Sequence, residues 1–329
     1  MAGIRPEPPN FRTDGKGRSF LHRELVDLAR SENNSAYNSR SLAWRRCVVN
    51  IADALESCSR ELARSDVPNA KQDAFQLVAH VTGKDKTFLI AHPEFELSAE
   101  QEIKLSRLTL RRVAREPLQY IIGWQDFYRL RFEVTPDVLI PRPETEILVE
   151  RAIKFLSDRP SPRFCEIGVG SGCISISVLH EVRTASAIAC DLSERALAVA
   201  RGNAERNDVA NRIELIISDL FTSVPQEKFD AILSNPPYVP EVDFGALQPE
   251  VRGHEPTIAL TSGPEGLDII RRLVDEAPSH LKTGGILLFE MGFNQWSKIS
   301  QMLVPSLWTN IEILPDLQGI PRILSAVKQ

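Results

Sequence analysis

Asn235-Pro236-Pro237-Tyr238 follows an apolar run, Phe229 to Ser234, that reads as a buried strand. A turn of this composition at a strand's carboxyl end suits a planar NH₂ group. The Asn235 side chain offers a carbonyl acceptor. Pro236 lacks an N–H and pushes Asn235 out of the helical region, so the turn is stiff and presents carbonyl oxygens outward. Pro237 extends that stiffness, and Tyr238 supplies a ring on which a flat π-system can lie. Beside a methyl donor, such a turn would serve methyl transfer to an amino or amide nitrogen.

A second group of residues has the chemistry of a nucleoside site. Glu166-Ile167-Gly168-Val169-Gly170-Ser171-Gly172 ends one strand-like run and opens a helix. Its glycines permit a tight turn and close approach of a ligand to the backbone. The Gly-x-Gly-x-Gly spacing is shorter than the dinucleotide fingerprint, and a glycine turn also serves plain strand-to-helix packing. Asp191 closes the next strand, 19 residues beyond Gly172, where an acid can accept hydrogen bonds from both ribose hydroxyls. It could equally cap the helix that follows, and the two roles are compatible. Asp219 and Leu220 close a third strand and would border an adenine by hydrogen bonding and apolar contact, although Asp219 also suits a turn cap. In a doubly wound sheet, ligands bind outside the carboxyl ends of the strands. Four strand ends therefore converge on one crevice. A nucleoside site beside an NH₂ clamp, without a phosphate-binding lysine motif, points to S-adenosylmethionine, with Asn235 bordering cofactor and substrate alike.

The elements that must position these groups follow from periodicity. Strand-like runs at Phe164–Ile167, Ala187–Cys190, Ile213–Ile217, Phe229–Ser234, Ile286–Phe289, Ile311–Leu314 and Ile323–Val327 alternate with helical segments. Such alternation predicts an α/β fold with a mostly parallel, doubly wound sheet. Upstream, residues 48–117 read as helices. Ile51, Leu55, Cys58 and Leu62 recur at helical spacing, as do Phe75, Val78 and Ala79 with Val81 following. Ser98-Ala99-Glu100-Gln101 reads as a capping box. On the helix it opens, Lys104, Arg107, Arg111 and Arg115 form one basic face, either a solvated surface or a contact for an acidic or nucleic-acid-bound partner. Residues 118–142 read as a hairpin, with strands at Tyr120–Gly123 and Leu130–Val134. Pro143 opens a helix with Glu144 and Glu146 in its first turn, and Ile147, Leu148, Ala152, Phe155 and Leu156 give it an apolar face.

Composition sets the outer bounds. At 329 residues, 43% of them hydrophobic, the chain is of the globular, core-forming kind. A net charge of -5 argues against a protein that works mainly by gripping phosphates. No apolar run is long enough to span a bilayer. Cys47, Cys58, Cys165, Cys173 and Cys190 show no Cys-x-x-Cys spacing and read as reduced thiols of a cytosol-like compartment. The six histidines form no His-x-x-x-His pair, and no metal site is expected. Residues 1–47 are polar and read as a disordered extension or a misplaced start, with a short amphipathic piece at Phe20–Ala29. A mitochondrial transit peptide is the alternative, opposed by Glu7, Asp14, Glu24, Asp27 and Glu32.

From about residue 50 onward the chain resembles the protein N5-glutamine methyltransferases that modify peptide-chain release factors. The resemblance rests on Asn235–Tyr238, on Arg115-Glu116-Pro117-Leu118-Gln119-Tyr120-Ile121-Ile122-Gly123, and on Val138 to Glu146 with its Pro-Arg-Pro-Glu-Thr-Glu run. His254-Glu255-Pro256, Gly263-Pro264-Glu265-Gly266-Leu267 and Asp316-Leu317-Gln318-Gly319 add to it. The chain departs from the family pattern at Glu166, where Asp is usual, at Val169, where Thr is usual, and at His254, where Tyr is common. The resemblance implies a small helical N-terminal domain that helps recognise the release factor, here residues 48–117. It also implies a β-hairpin linker over 118–142 and a seven-stranded Rossmann-like methyltransferase domain over 143–329. The implied target is the glutamine of a Gly-Gly-Gln loop. Asn235 and the Pro236 carbonyl would orient its amide, and Tyr238 would hold the amide plane. The expected protein is a cytoplasmic monomer, or mitochondrial if residues 1–47 act as a transit peptide. A nucleic-acid base and a ribosomal-protein glutamine remain as rival targets, because an exocyclic amine and a carboxamide look alike to this turn.

Overall fold

The computed structural model describes residues 49–329. The readings of residues 1–47, including the Phe20–Ala29 helix and Cys47, lie outside them. The first elements are helices: α1 (Ile51–Arg64), α2 (Ala70–Thr82), α3 (Lys86–Ala91) and α4 (Ala99–Val113). The Asn50 side chain accepts the Asp53 N–H and starts α1. Ser98 and Gln101 exchange both bonds of the expected capping box at the start of α4. Ile51, Cys58 and Leu62 are buried with Leu77, Val78 and Leu105 in one cluster; Leu55 and Phe75 pack at its edge. This helical core is separate from the cores of the sheet.

Two expectations in this region are corrected. Tyr120–Gly123 is not a strand: Leu118–Ile122 forms a short helix, α5, ended by Gly123 at φ 87°. Isoleucine's preference for strand over helix is under about 1 kcal/mol, whereas burying each large apolar side chain contributes about 2 kcal/mol. As a helix, the segment turns Leu118, Ile121 and Ile122 into the helical core and Tyr120 toward Val134, Val138 and Ile140. The hairpin follows it, as β1 (Trp124–Phe127) paired with β2 (Leu130–Glu133). The basic face also loses a member. Helix α4 stops at Val113, Arg115 takes a left-handed φ of 65°, and its guanidinium turns inward to Glu250. Arg111 stays exposed but pairs with Glu116, which leaves Lys104 and Arg107 as the members of that stripe without an ion pair among the described residues.

Pro143–Thr145 forms a 3₁₀ turn that runs into α6 (Glu146–Leu156). The sheet then builds from β3 (Arg163–Ile167), β4 (Ser186–Asp191), β5 (Ile213–Ile217), β6 (Phe229–Ser234), β7 (Leu281–Glu290), β8 (Trp308–Pro315) and β9 (Pro321–Lys328). Its seven strands lie in the order β5-β4-β3-β6-β7-β9-β8. Pairings from β5 to β7 are parallel, and β9 runs antiparallel to both of its neighbours. Helices α7 (Cys173–Glu181), α8 (Glu194–Arg206), α9 (Pro249–His254), α10 (Asp268–His280) and α11 (Trp296–Ile299) complete the α-helices of the described residues. Alternate strand residues feed opposite faces. Cys165, Ile167, Ile188 and Cys190 pack with α10 on one side; Phe164, Ala187, Ala231 and Leu233 pack with α6 and α7 on the other.

The chain winds outward from β3 to β5, then crosses back to lay β6 beside β3. That reversal opens a crevice at the carboxyl ends of β3 and β6. Ile167 sits in register with Ser234, so the glycine loop and the Asn235 turn leave adjacent strands side by side. No helix among the described residues is long and apolar enough to cross a membrane.

Candidate active site

The crevice is a cavity of about 390 Å³, within the size range of small-ligand pockets. Its floor is the glycine loop. Gly168, Gly170 and Gly172 hold φ of 75°, 52° and 82°, a left-handed run that residues with a side chain rarely adopt. The Gly168 and Val169 N–H groups both donate to the Cys190 carbonyl at 2.9 Å, which ties the loop to β4. Gly168, Val169, Gly170 and Ser171 border the cavity. The Val169 side chain packs against Ala189, Leu197 and Ala200. Gly172 stands behind the wall as the N-cap of α7, where an added Cβ would meet Ile176 at 2.7 Å.

Asp191 borders the cavity with its carboxylate already oriented. One oxygen accepts the Gly170 N–H and the other the Ser193 N–H, each at 2.9 Å. The cap of α8 is Ser193, which accepts the Ala196 N–H, so Asp191 is free of the capping role. Each carboxylate oxygen retains a lone pair for a diol. Asp219 and Leu220 also line the cavity. Asp219 is half engaged, since one oxygen pairs with Arg272 at 3.0 Å. Leu220 sits at φ 49°; the Ser218 hydroxyl donates to its carbonyl at 2.8 Å and holds that bend. Behind the loop, Glu166 accepts the Ser175 N–H at 2.9 Å. Burial pushes its carboxyl up to about 8 against that hydrogen bond, with Asp191 adding to the rise. Burial likewise raises the Cys165, Cys173 and Cys190 thiols, which therefore stay protonated and unreactive.

The turn after β6 supplies the other end. Asn235, Pro236 and Pro237 line the cavity. The Asn235 NH₂ donates to the Thr145 hydroxyl at 3.2 Å. Thr145 donates in turn to Glu290 Oε2 at 2.6 Å. The Asn235 carbonyl oxygen is thereby turned away from Thr145, and among the described residues no hydrogen bond occupies it. Among the described residues no backbone N–H engages the Pro236 carbonyl. Tyr238 is placed differently from the expected amide-facing ring. It lies outside the cavity wall, packs at the edge of the core, and donates its hydroxyl to Glu290 Oε1 at 2.9 Å.

The roof comes from elsewhere in the chain. Pro141, Arg142 and Thr145 of the Pro-Arg-Pro-Glu-Thr-Glu run reach the cavity, whereas Glu146 turns away to accept the Tyr128 N–H of the hairpin. Pro256, Ile258 and Thr261 to Gly263 face them. Buried Glu255 joins the two sides, accepting from Arg142 and from the Ile140 N–H. Asn203 joins the hairpin to the glycine loop by donating to the Glu133 and Ser171 carbonyls at 3.0 and 2.9 Å. Glu290, Glu255 and Asn203 escaped the sequence reading of the site. A carboxylate inside an otherwise apolar strand, as at Leu287-Leu288-Phe289-Glu290, was the available signal for the first. Among the described residues no three His, Cys, Asp or Glu side chains are grouped to hold a metal ion.

With this geometry in place, comparison with known proteins is informative. The family model of the PrmC N-terminal domain matches residues 53–123, and that of the methyltransferase small domain matches residues 144–246. The release factor glutamine methyltransferase of Cereibacter sphaeroides is 41% identical over 278 residues, covering 84% of this chain and 98% of its own. That of Koribacter versatilis is 36% identical over 277 residues, covering 84% and 98%. Among solved structures, the hMettl16 catalytic domain in complex with the MAT2A 3'UTR hairpin 6 aligns with a TM-score of 0.51 at 14% identity, over 69% of this chain and 81% of that one. That likeness is one of fold alone.

Proposed function

The chain belongs to the release factor glutamine methyltransferases, and from that membership we propose that it methylates the side-chain amide nitrogen of a release-factor glutamine, the one in a Gly-Gly-Gln loop, using S-adenosylmethionine. The observation that carries this reading is the Asn235 amide, held through its NH₂ by Thr145, on a cavity wall that it shares with Pro236, the glycine loop and Asp191.

The donor set fits S-adenosylmethionine. Asp191 keeps lone pairs for a ribose diol, Leu220 gives an apolar edge for the base beside Asp219, and Gly168 to Ser171 let a ligand approach the backbone. When bound, this cofactor would supply an electrophilic methyl group, its C–S bond breaking as the C–N bond forms and the sulfur leaving as a neutral thioether, with one N–H proton of the methylated amide lost to water. An amide nitrogen is a poor nucleophile because its lone pair is delocalised into the carbonyl. The Asn235 and Pro236 oxygens accept its two N–H groups, fix the amide plane and favour the positive charge that develops on nitrogen. Positioning of this kind supplies much of the rate.

The test is transfer of labelled methyl groups to release factor, ribosomal protein, DNA and RNA offered separately. Label on the release factor, lost when its Gly-Gly-Gln glutamine is replaced by alanine, is the expected result. Label on nucleic acid alone would overturn the reading. Arg111 is paired with Glu116 and Arg115 with Glu250, which leaves less of the basic stripe for a phosphate backbone.

A further inference from the structure

We infer that Thr145 and Glu290 are positioning residues that decide which end of the Asn235 amide faces the substrate. The inference rests on the proposed amide methylation and names what orients its principal acceptor. An asparagine amide presents either an acceptor or two donors according to a half-turn of one bond. Only the first is useful against a glutamine NH₂.

The orientation is set by a chain of hydroxyls and a carboxylate. Glu290, at the carboxyl end of β7 and 1% exposed, receives two hydroxyl donors: Thr145 at 2.6 Å on one oxygen and Tyr238 at 2.9 Å on the other. An ionised carboxylate can only accept. Thr145 has a single hydroxyl proton and directs it to Glu290. Its oxygen can then only accept from Asn235, so the Asn235 NH₂ turns toward Thr145 and its carbonyl turns away. Thr145 is itself 1% exposed. The three residues arrive from the 3₁₀ turn, from β7 and from the turn after β6. Tyr238 lies outside the cavity wall and enters the scheme by filling the second oxygen of Glu290.

Thr145→Val keeps the shape and removes the relay. The expected result with labelled S-adenosylmethionine and release factor is a fall in kcat of about 10²-fold, the size of a lost reactant alignment. KM for the release factor and cofactor affinity, measured by calorimetry, should stay within about 2-fold. Thr145→Ser should restore kcat, because it returns the hydroxyl. Should Thr145→Val fail to fold, Glu290→Gln carries the same test: it replaces one acceptor by a donor and is expected to lower kcat at least 10-fold with cofactor affinity kept. Wild-type kcat in Thr145→Val or in Glu290→Gln would overturn the inference, as would a Thr145→Ser enzyme as slow as the valine variant. A wild-type protein that labels no glutamine would overturn the proposed function itself, and this inference with it.

Discussion

Arg115 grips Glu250 with two arms, Nε to Oε1 and Nη2 to Oε2, both at 2.8 Å, across 135 residues of sequence. Arg112 adds a third bond to Glu250 at 3.0 Å and a fourth to Asp73 at 2.7 Å. The cluster fastens the helical region to α9, and α9 leads directly through Glu255 into Pro256 and the cavity roof. Helical region and cavity roof are thus one connected assembly.

Glu250→Ala should therefore destabilise the protein by about 1.5–3 kcal/mol, the usual worth of hydrogen bonds to a charged group, because Arg115 loses both arms while Arg112 keeps Asp73. Burial alone would raise the Glu250 carboxyl, but the bonds from Arg115, its own helix backbone and Arg112 outweigh it and hold the group at about 2. A carboxylate depressed by folding stabilises fully above its ordinary value of 4.5 and loses that contribution as pH falls from there through about 2. The denaturation midpoint of the wild type should drop over this window, and that of Glu250→Gln should drop less. Parallel curves would count against the cluster.

Asn235→Ala removes the principal acceptor without touching the glycine loop or Asp191. Turnover should fall by about 10²–10³-fold, the scale found when one electrostatic partner of a transition state is deleted. Cofactor affinity by calorimetry should change only modestly. Near-normal turnover would sink the mechanism.

Glu290 gives the reaction a pH dependence. Burial pushes its carboxyl above the ordinary value; the Thr145 and Tyr238 hydroxyls and Arg322 oppose the rise, and Glu144 adds to it. The relay needs the ionised form. As pH falls through that raised value, Glu290 gains a proton, becomes a donor and ceases to impose the Thr145 direction. The kcat profile should therefore show an acidic limb above the usual glutamate range, absent from the residual activity of Thr145→Val. A flat wild-type profile from pH 5 to 8 would be the contrary result.

Gly266 lies against the backbone of Tyr238. A Cβ there would sit 2.0 Å from the Tyr238 carbonyl oxygen, and its φ is 70°. The same carbonyl accepts from Gln295 at 2.9 Å, so it has no room to retreat. Gly266→Ala combines a left-handed strain of about 1–2 kcal/mol with a steric clash against the turn that follows β6. Lower thermal stability and lower kcat are both expected, by calorimetric scan and by the methyl-transfer assay. A variant that melts and turns over like wild type would show that the turn is more compliant than this contact implies.

The groups that border the cavity were legible in the chain because each is a local signal. Strand runs end at Ile167, Cys190, Ile217 and Ser234, and the residue types that follow — glycines, an acid, an acid with a leucine, Asn-Pro-Pro — declare their chemistry without reference to anything distant. Periodicity set α1 and α4, because an apolar repeat and a capping box act within a few residues. Tertiary packing decided the rest. Leu118–Ile122 became a helix because two separate cores take its side chains, a burial term larger than any local preference. Arg115 left its helical stripe for Glu250. Tyr238 turned to Glu290 because β6 and β7 are neighbours in the sheet, and Thr145 reached the same carboxylate across 145 residues. Strand order brings these partners together, and it depends on how all the apolar faces are covered at once, which no short stretch of sequence records.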